Sequence, residues 1–227
     1  MKILALDTAV SACSVALWRD GGVRARRYEL MPRGHAEALM PMVEDVLAAA
    51  GERILGLDLL AVTIGPGAFT GLRVGLAAAR GMALASALPC LGVTTLEAVA
   101  YGIPEAERKA RTVLVALNSK TEIIFAQFFL ADLEPLSPPL ALAADGLARD
   151  IPRSPLLIAG DAAGLAAQRL TESGIETALS SAPALPDAAV VAAIAARRWR
   201  PGQAPPPPSP LYLRRPAAIP AKNGGRR

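Results

Sequence analysis

Histidine is almost absent: His35 is the only one in the 227-residue chain. A zinc site of the HExxH kind needs two imidazoles on one helical face, and His35 has Leu39 one turn on, so that chemistry is excluded. A Ser-His-Asp triad would have to use the same imidazole, yet no GxSxG elbow supplies a nucleophile. A helix-start or interface role suits His35 better. Aromatic residues make up only 4% of the chain, so the core must be built from Ala, Leu, Val and Ile with helices packing at short distances. The same scarcity leaves few rings to stack on nucleic-acid bases, and they are not interleaved with the arginine clusters. Two cysteines, Cys13 and Cys90, each stand in an apolar strand-like context without a CxxC partner, which points to buried reduced thiols. Long apolar runs are missing too. The opening stretch stops at Asp7 and Arg80 interrupts the only later segment of near-membrane length, so a soluble, cytoplasmic protein with no membrane partner is expected.

Hydrophobic residues reach 52%, enough for one large or two small domains with a real core. The formal charge is +4 and the sequence pI is near 9.4. Much of the positive charge sits in short clusters: Arg24, Arg26 and Arg27; Arg108, Lys109 and Arg111; Arg197, Arg198 and Arg200; and Arg226 with Arg227. Their dispersion argues for a solvated surface rather than one basic groove, and any nucleic-acid contact is expected to be weak or indirect.

The run from Gly65 to Gly75, GPGAFTGLRVG, is the most informative segment. Leu59 to Ile64 ahead of it is β-prone and apolar, as for a strand buried on both faces, and a small-residue helix from Thr70 to about Ala87 follows. Gly65 and Gly67 can take positive φ, Pro66 sets the bend, and Thr70 is placed to cap the helix. The P-loop needs Lys and then Ser or Thr after its last glycine, but Leu72 and Arg73 follow Gly71; the dinucleotide fingerprint needs glycine where Thr70 stands. Two readings stay open. The elbow cradles phosphate at the helix N-terminus, or Gly71, Gly75, Ala79 and Ala83, four apart on one face, let another element approach closely.

The first thirty residues read as a β-hairpin and a third strand, with turns at Ala9 to Ala12 and Asp20 to Gly22. A helix from Gly34 to Ala50 stops at Gly51, a strand covers Pro89 to Val93, and Thr94 to Glu97 is a capping box. Thr112 to Leu117 and Ile123 to Leu130 pair as strands, Leu156 to Ala159 is another, and helices cover Ala162 to Ser173 and Asp187 to Trp199. The expected division is 1–103 as an N-terminal α/β subdomain, 104–203 as a second, and 204–227 as a Pro-rich spacer, an apolar segment that docks back, and a mobile basic tail from Ala221.

Four blocks resemble one family in order: Ile3 to Thr8, His35 to Pro41, Gly65 to Gly75, and Pro210-Leu211-Tyr212-Leu213-Arg214. The chain resembles the TsaB (YeaZ) family. That resemblance implies an α/β chain of the actin-like ATPase/Hsp70 (ASKHA, ribonuclease H-like) superfold, with two subdomains, each a mixed sheet flanked by helices. It also implies a non-catalytic subunit that binds and stabilises TsaD in synthesis of N6-threonylcarbamoyladenosine at position 37 of ANN-reading tRNAs, with the ATPase TsaE joining the assembly. By resemblance the partner contact uses His35, Leu39, Gly71, Leu72, Arg73, Gly75, Ala79 and Ala83, and a homodimer could use the same helices. Leucine at Gly75 or Ala79 should then block TsaD while leaving the monomer folded. No cofactor is expected, save ATP with Mg²⁺ held weakly or at the partner contact. In nucleotide-binding members of the superfold a carboxylate at the first strand end helps hold the metal. Asp7, Thr8, Gly65, Gly67 and Thr70 are the corresponding candidates here, and a small-molecule kinase is the alternative function. Asp7 could equally cap the hairpin turn, since Ala9 stands where those binders usually carry glycine. Asn118-Ser119-Lys120 likewise departs from the family's usual Asp-Ala-Arg.

Overall fold

The structure, a computed structural model, describes residues 1–150 and 155–214. In chain order the elements are β1 (Lys2–Asp7), β2 (Ala12–Arg19), β3 (Gly22–Leu30), α1 (His35–Ala50), β4 (Leu59–Thr63), α2 (Phe69–Ser86), β5 (Cys90–Val93), α3 (Thr95–Tyr101), α4 (Glu105–Arg108), β6 (Thr112–Asn118), β7 (Ile123–Phe129), β8 (Leu140–Ala143), β9 (Leu156–Ala159), α5 (Ala163–Glu172), β10 (Thr177–Leu179) and α6 (Ala188–Arg198). They form two five-stranded mixed sheets, ordered β3-β2-β1-β4-β5 and β10-β9-β6-β7-β8. In each, an antiparallel meander leads into two parallel strands added beside the first strand of the meander. The two sheets therefore share one wiring, although their sequences carry no visible repeat.

β1 shows why the first sheet is a middle layer. Leu4 and Leu6 point into a cluster with α1 and α2, while Ile3 and Ala5 point into a second cluster with α6. Period-2 alternation thus puts apolar side chains on both faces, which is why the strand reads as a continuous apolar run. The second sheet has its own two clusters, one with α3 and one with α5.

α6 corrects the expected division. It was placed in the 104–203 unit, but Val191, Ala192, Ile194 and Ala195 pack on Ile3, Ala5, Leu59 and Ala61 of the first sheet. Its alanine-rich face suits a sheet whose outer positions are themselves Ala and Leu, and such a match is invisible in local pattern. β8 and β10 were also missed. They are edge strands of four and three residues, too short to display a period.

Two helix ends, the Gly51 stop and the Thr94–Glu97 capping box, behave as read. Gly51 takes a left-handed φ of 65° after α1. Thr94 caps α3 in a full capping box with Glu97, and the Asp187 side chain caps α6. The Pro-rich spacer runs back over α2 as a strap: the Arg80 guanidinium donates to the Pro208 carbonyl, and Leu211 N–H donates to Ile64 O at 2.7 Å. The basic tail expected at Ala221 to Arg227 lies outside the described residues.

Candidate functional site

The elbow between β4 and α2 meets the β1–β2 hairpin turn head on. Ala68 N–H donates to Ala9 O at 2.7 Å. Gly67 needs its missing side chain because an added Cβ would stand 2.2 Å from that same Ala9 oxygen. Gly65 takes the positive φ expected of it, 109°, whereas Gly67 is glycine for close approach alone. The two small-loop glycines thus do different jobs that one motif could not separate.

The close approach continues down α2. A Cβ on Gly71 would meet Thr8 O at 2.1 Å and one on Gly75 would meet Thr8 Oγ1 at 2.4 Å. Thr8 Oγ1 donates to Gly71 O at 2.7 Å, locking the hairpin to the helix. Gly71, Gly75 and Ala79 are buried, and so are Leu39 and Leu72, each 1% exposed. This corrects the expected partner set. The small-residue ridge lets α2 lie against the chain's own Thr8 and Val62, and Leu39, Gly71, Leu72, Gly75 and Ala79 are all buried within this chain. Leucine at Gly75 would then break the monomer rather than spare it. Thr70 is corrected as well: it is exposed inside α2, and the helix starts after Ala68 with no side-chain cap.

The surface that α1 and α2 do present lies on their opposite sides. Ala36, Met40 and Glu44 form the outer stripe of α1, and Arg73, Ala77, Gly81 and Leu84 that of α2. Met40 is 40% and Leu84 87% exposed, large apolar groups on neighbouring helices. Ala83 is half-buried. His35 is also half-buried; its Nε2–H donates to Val10 O at 2.9 Å and ties the start of α1 to the hairpin turn.

Asp7 is wholly buried. One carboxylate oxygen accepts from Thr63 Oγ1 at 2.7 Å and from Ala9 N–H at 3.2 Å, the turn-capping geometry. The other oxygen has no partner among the described residues. Burial pushes the carboxyl up to about 7 from its usual 3.8, against the lowering effect of those two hydrogen bonds. A nucleotide with Mg²⁺ does not fit this arrangement. Ala9 O takes the Ala68 N–H that an anion at the elbow would need, and the Asp7 carboxyl that would hold the metal is buried behind the turn.

Lys120 sits at positive φ, 60°, in the β6–β7 turn. Asp161, after β9, accepts from Asn118 N–H at 2.7 Å, so the Asn-Ser-Lys turn is held against the second sheet. Several clustered arginines are paired at the surface: Arg26 with Asp187, Arg27 with Asp45, and Arg198 with Glu97. No cluster of three or more His, Cys, Asp or Glu side chains suited to a metal occurs among the described residues. Nor is any helix among them long and apolar enough to cross a membrane.

The family model for TsaD, tRNA N6-adenosine threonylcarbamoyltransferase, matches residues 20–151. The tRNA threonylcarbamoyladenosine biosynthesis protein TsaB of Escherichia coli is 46% identical over 131 residues, 56% of this chain and 55% of that protein. The chain is thus matched to about half the length of that curated relative. Protein Rv3421c of Mycobacterium tuberculosis is 33% identical over 222 residues, covering 96% of this chain and 94% of its own. A Pseudomonas aeruginosa crystal structure, described as a protein with similarity to peptidase YEAZ, superposes with a TM-score of 0.81 at 29% identity. That likeness covers 94% of this chain and 99% of the other. The architecture, two mixed sheets flanked by helices, is the one expected from the sequence, and the Pseudomonas aeruginosa protein shares it. By sequence over most of its length and by fold over nearly all of it, the chain belongs to the TsaB (YeaZ) family.

Proposed function

We propose that this chain is a non-catalytic subunit that binds and stabilises TsaD in the cytoplasmic synthesis of N6-threonylcarbamoyladenosine on ANN-reading tRNAs, with TsaE as a further member of the assembly. The observation that carries the reading is the engaged elbow: Ala68 N–H, which a phosphate at the start of α2 would need, is taken by Ala9 O at 2.7 Å. A chain of this fold without that cradle has its helices left to work with. The matching family model is TsaD's own, so the partner is expected to carry an α1–α2 pair like this one. Two such pairs can meet in a quasi-symmetric four-helix contact, with Met40 and Leu84 as the apolar anchors. A homodimer through the same face is the form the chain takes when TsaD is missing. The chain needs no cofactor of its own on this reading.

The test is retention of TsaD by the tagged chain, with Met40→Glu and Leu84→Glu as variants. Each should weaken retention at least tenfold, because losing a central apolar anchor costs about 2 kcal/mol, and neither should change the melting temperature. Retention by both variants overturns the interface, and turnover of Mg-ATP by the isolated chain overturns the non-catalytic assignment.

A further inference from the structure

Three cavities, of about 450, 110 and 310 Å³, open around the start of α2, and all three have Ala68 and Lys120 in their walls. They are one groove. It begins at Arg33, passes under the β6–β7 turn, and ends against the returning strap at Tyr212 and Arg214. In it the tertiary structure assembles what the linear sequence keeps apart. The rings of Phe69 and Tyr212 lie 5.3 Å apart, with the Arg73 guanidinium 3.7 Å over Phe69. Arg73 Nε–H also donates to Tyr212 Oη at 3.2 Å.

This group is more than a clip for the strap. Pro208 and Leu211 already pin the strap through Arg80 and Ile64, and Leu213 packs into the core beside α3. Tyr212 nevertheless keeps 39% of its surface open and is the only aromatic side chain among the large exposed apolar groups of the described residues. Of the groove's cations, the side chains of Arg33 and Lys120 make no hydrogen bond or ion pair among the described residues, Arg214 donates to the neutral Thr121 Oγ1 at 2.7 Å, and Asp161, which shares a cavity wall with Lys120, is engaged by Asn118 N–H. A partly exposed ring, packed on Phe69 and held by Arg73 in a groove that also carries Arg33, Lys120 and Arg214, is the chemistry that holds single-stranded nucleic acid: a base on the ring, phosphates on the cations.

We propose that the groove between the two subdomains binds a single-stranded RNA segment, with Tyr212 as the stacking platform and Arg33, Lys120 and Arg214 as phosphate contacts. The identity of that RNA as a tRNA anticodon loop rests on the function proposed above; the binding chemistry does not. The experiment is fluorescence anisotropy of a labelled anticodon stem-loop RNA against the full chain, alone and with TsaD. Tyr212→Ala should weaken binding at least fivefold, the lower end of base–aromatic stacking, and Tyr212→Phe should restore it. Lys120→Gln, on an exposed turn, should reduce the log–log salt slope by about 0.7. Both variants should retain TsaD as the unmodified chain does, which separates this inference from the partner reading: lost TsaD binding with Tyr212-dependent RNA affinity sinks only the latter. RNA affinity indifferent to Tyr212→Ala and Lys120→Gln overturns the groove. So does displacement of the RNA by ATP as complete as by unlabelled RNA, which would make this a mononucleotide site.

Discussion

Alanine at Gly75 asks whether the small-residue face of α2 is an internal contact. Gly75 lies inside a helix, where glycine to alanine ordinarily gains about 1 kcal/mol. Here the added Cβ stands 2.4 Å from Thr8 Oγ1, a separation that real Cβ atoms do not tolerate. Relief requires the Thr8 hydroxyl to move, which gives up its 2.7 Å bond to Gly71 O, worth about 1 kcal/mol, or α2 to shift, at about 1–3 kcal/mol for overpacking. With that gain subtracted, the net expectation is a loss of about 0–2 kcal/mol, which is about 1–3 kcal/mol below an unobstructed glycine-to-alanine change. Gly81 supplies the control on the same helix: nothing lies within 4 Å of its added Cβ, so Gly81→Ala should gain about 1 kcal/mol. Thr8→Ala supplies the other arm, because with Oγ1 gone the nearest remaining atoms are Val62 Cγ2 at 3.6 Å and the Cβ of residue 8 at 3.7 Å. In that background Gly75→Ala should gain about 1 kcal/mol, as Gly81→Ala does, leaving a coupling energy of about 1–3 kcal/mol in the double-mutant cycle. Urea midpoints at constant m-value measure all four proteins. If Gly75→Ala stabilises as much as Gly81→Ala, the packing argument fails, and the ridge is free for a partner after all.

Asp7 gives a second prediction. The folded chain holds this proton up to about pH 7 and the unfolded chain releases it near 3.8, so the native state binds the extra proton between those limits. Stability from this group is therefore present at low pH, falls as pH rises from about 4 to 7, and is level above, by at most about 4 kcal/mol at 1.36 kcal/mol per unit. The difference in urea stability between pH 5 and pH 8 should shrink in Asp7→Asn; equal differences in the two proteins refute the buried-acid assignment. The thiols give a third. Burial pushes Cys13 up to about 12 and Cys90 to about 11, so neither should react with a disulfide reagent at pH 8 in the native state, and both should react on unfolding. Native-state labelling of either at a free-thiol rate would contradict the core described for β2 and β5.

Much of the architecture was legible because its signals are local. The apolar run of β4, the Gly51 stop, the Thr94–Glu97 capping box and the strap segment at Leu211 to Leu213 each follow from neighbours in the chain, and each is where the sequence placed it. The site was legible as a place but not as a set of contacts. The elbow stood out, yet the spacing of Gly71, Gly75 and Ala79 says only that something packs closely there; the same pattern serves a foreign helix or the chain's own Thr8. Phe69 and Arg73, one helical turn apart, were a local hint of the stacked pair. Tyr212 joins them from 139 positions away in sequence, which no periodicity reports.

Alone, the order of residues determined the longer elements, the buried strands, the exclusion of paired-histidine and GxSxG chemistry, and the four blocks that mark the family. Only the tertiary structure decided which way α2 faces, that α6 covers the first sheet, that Asp7 is buried behind the hairpin turn, and that the Phe69–Tyr212 pair and several cations share a groove. The physical reason is the range of the forces: capping, turn chemistry and alternation act over a few residues, whereas close approach, burial and stacking depend on segments that meet only when both sheets have formed.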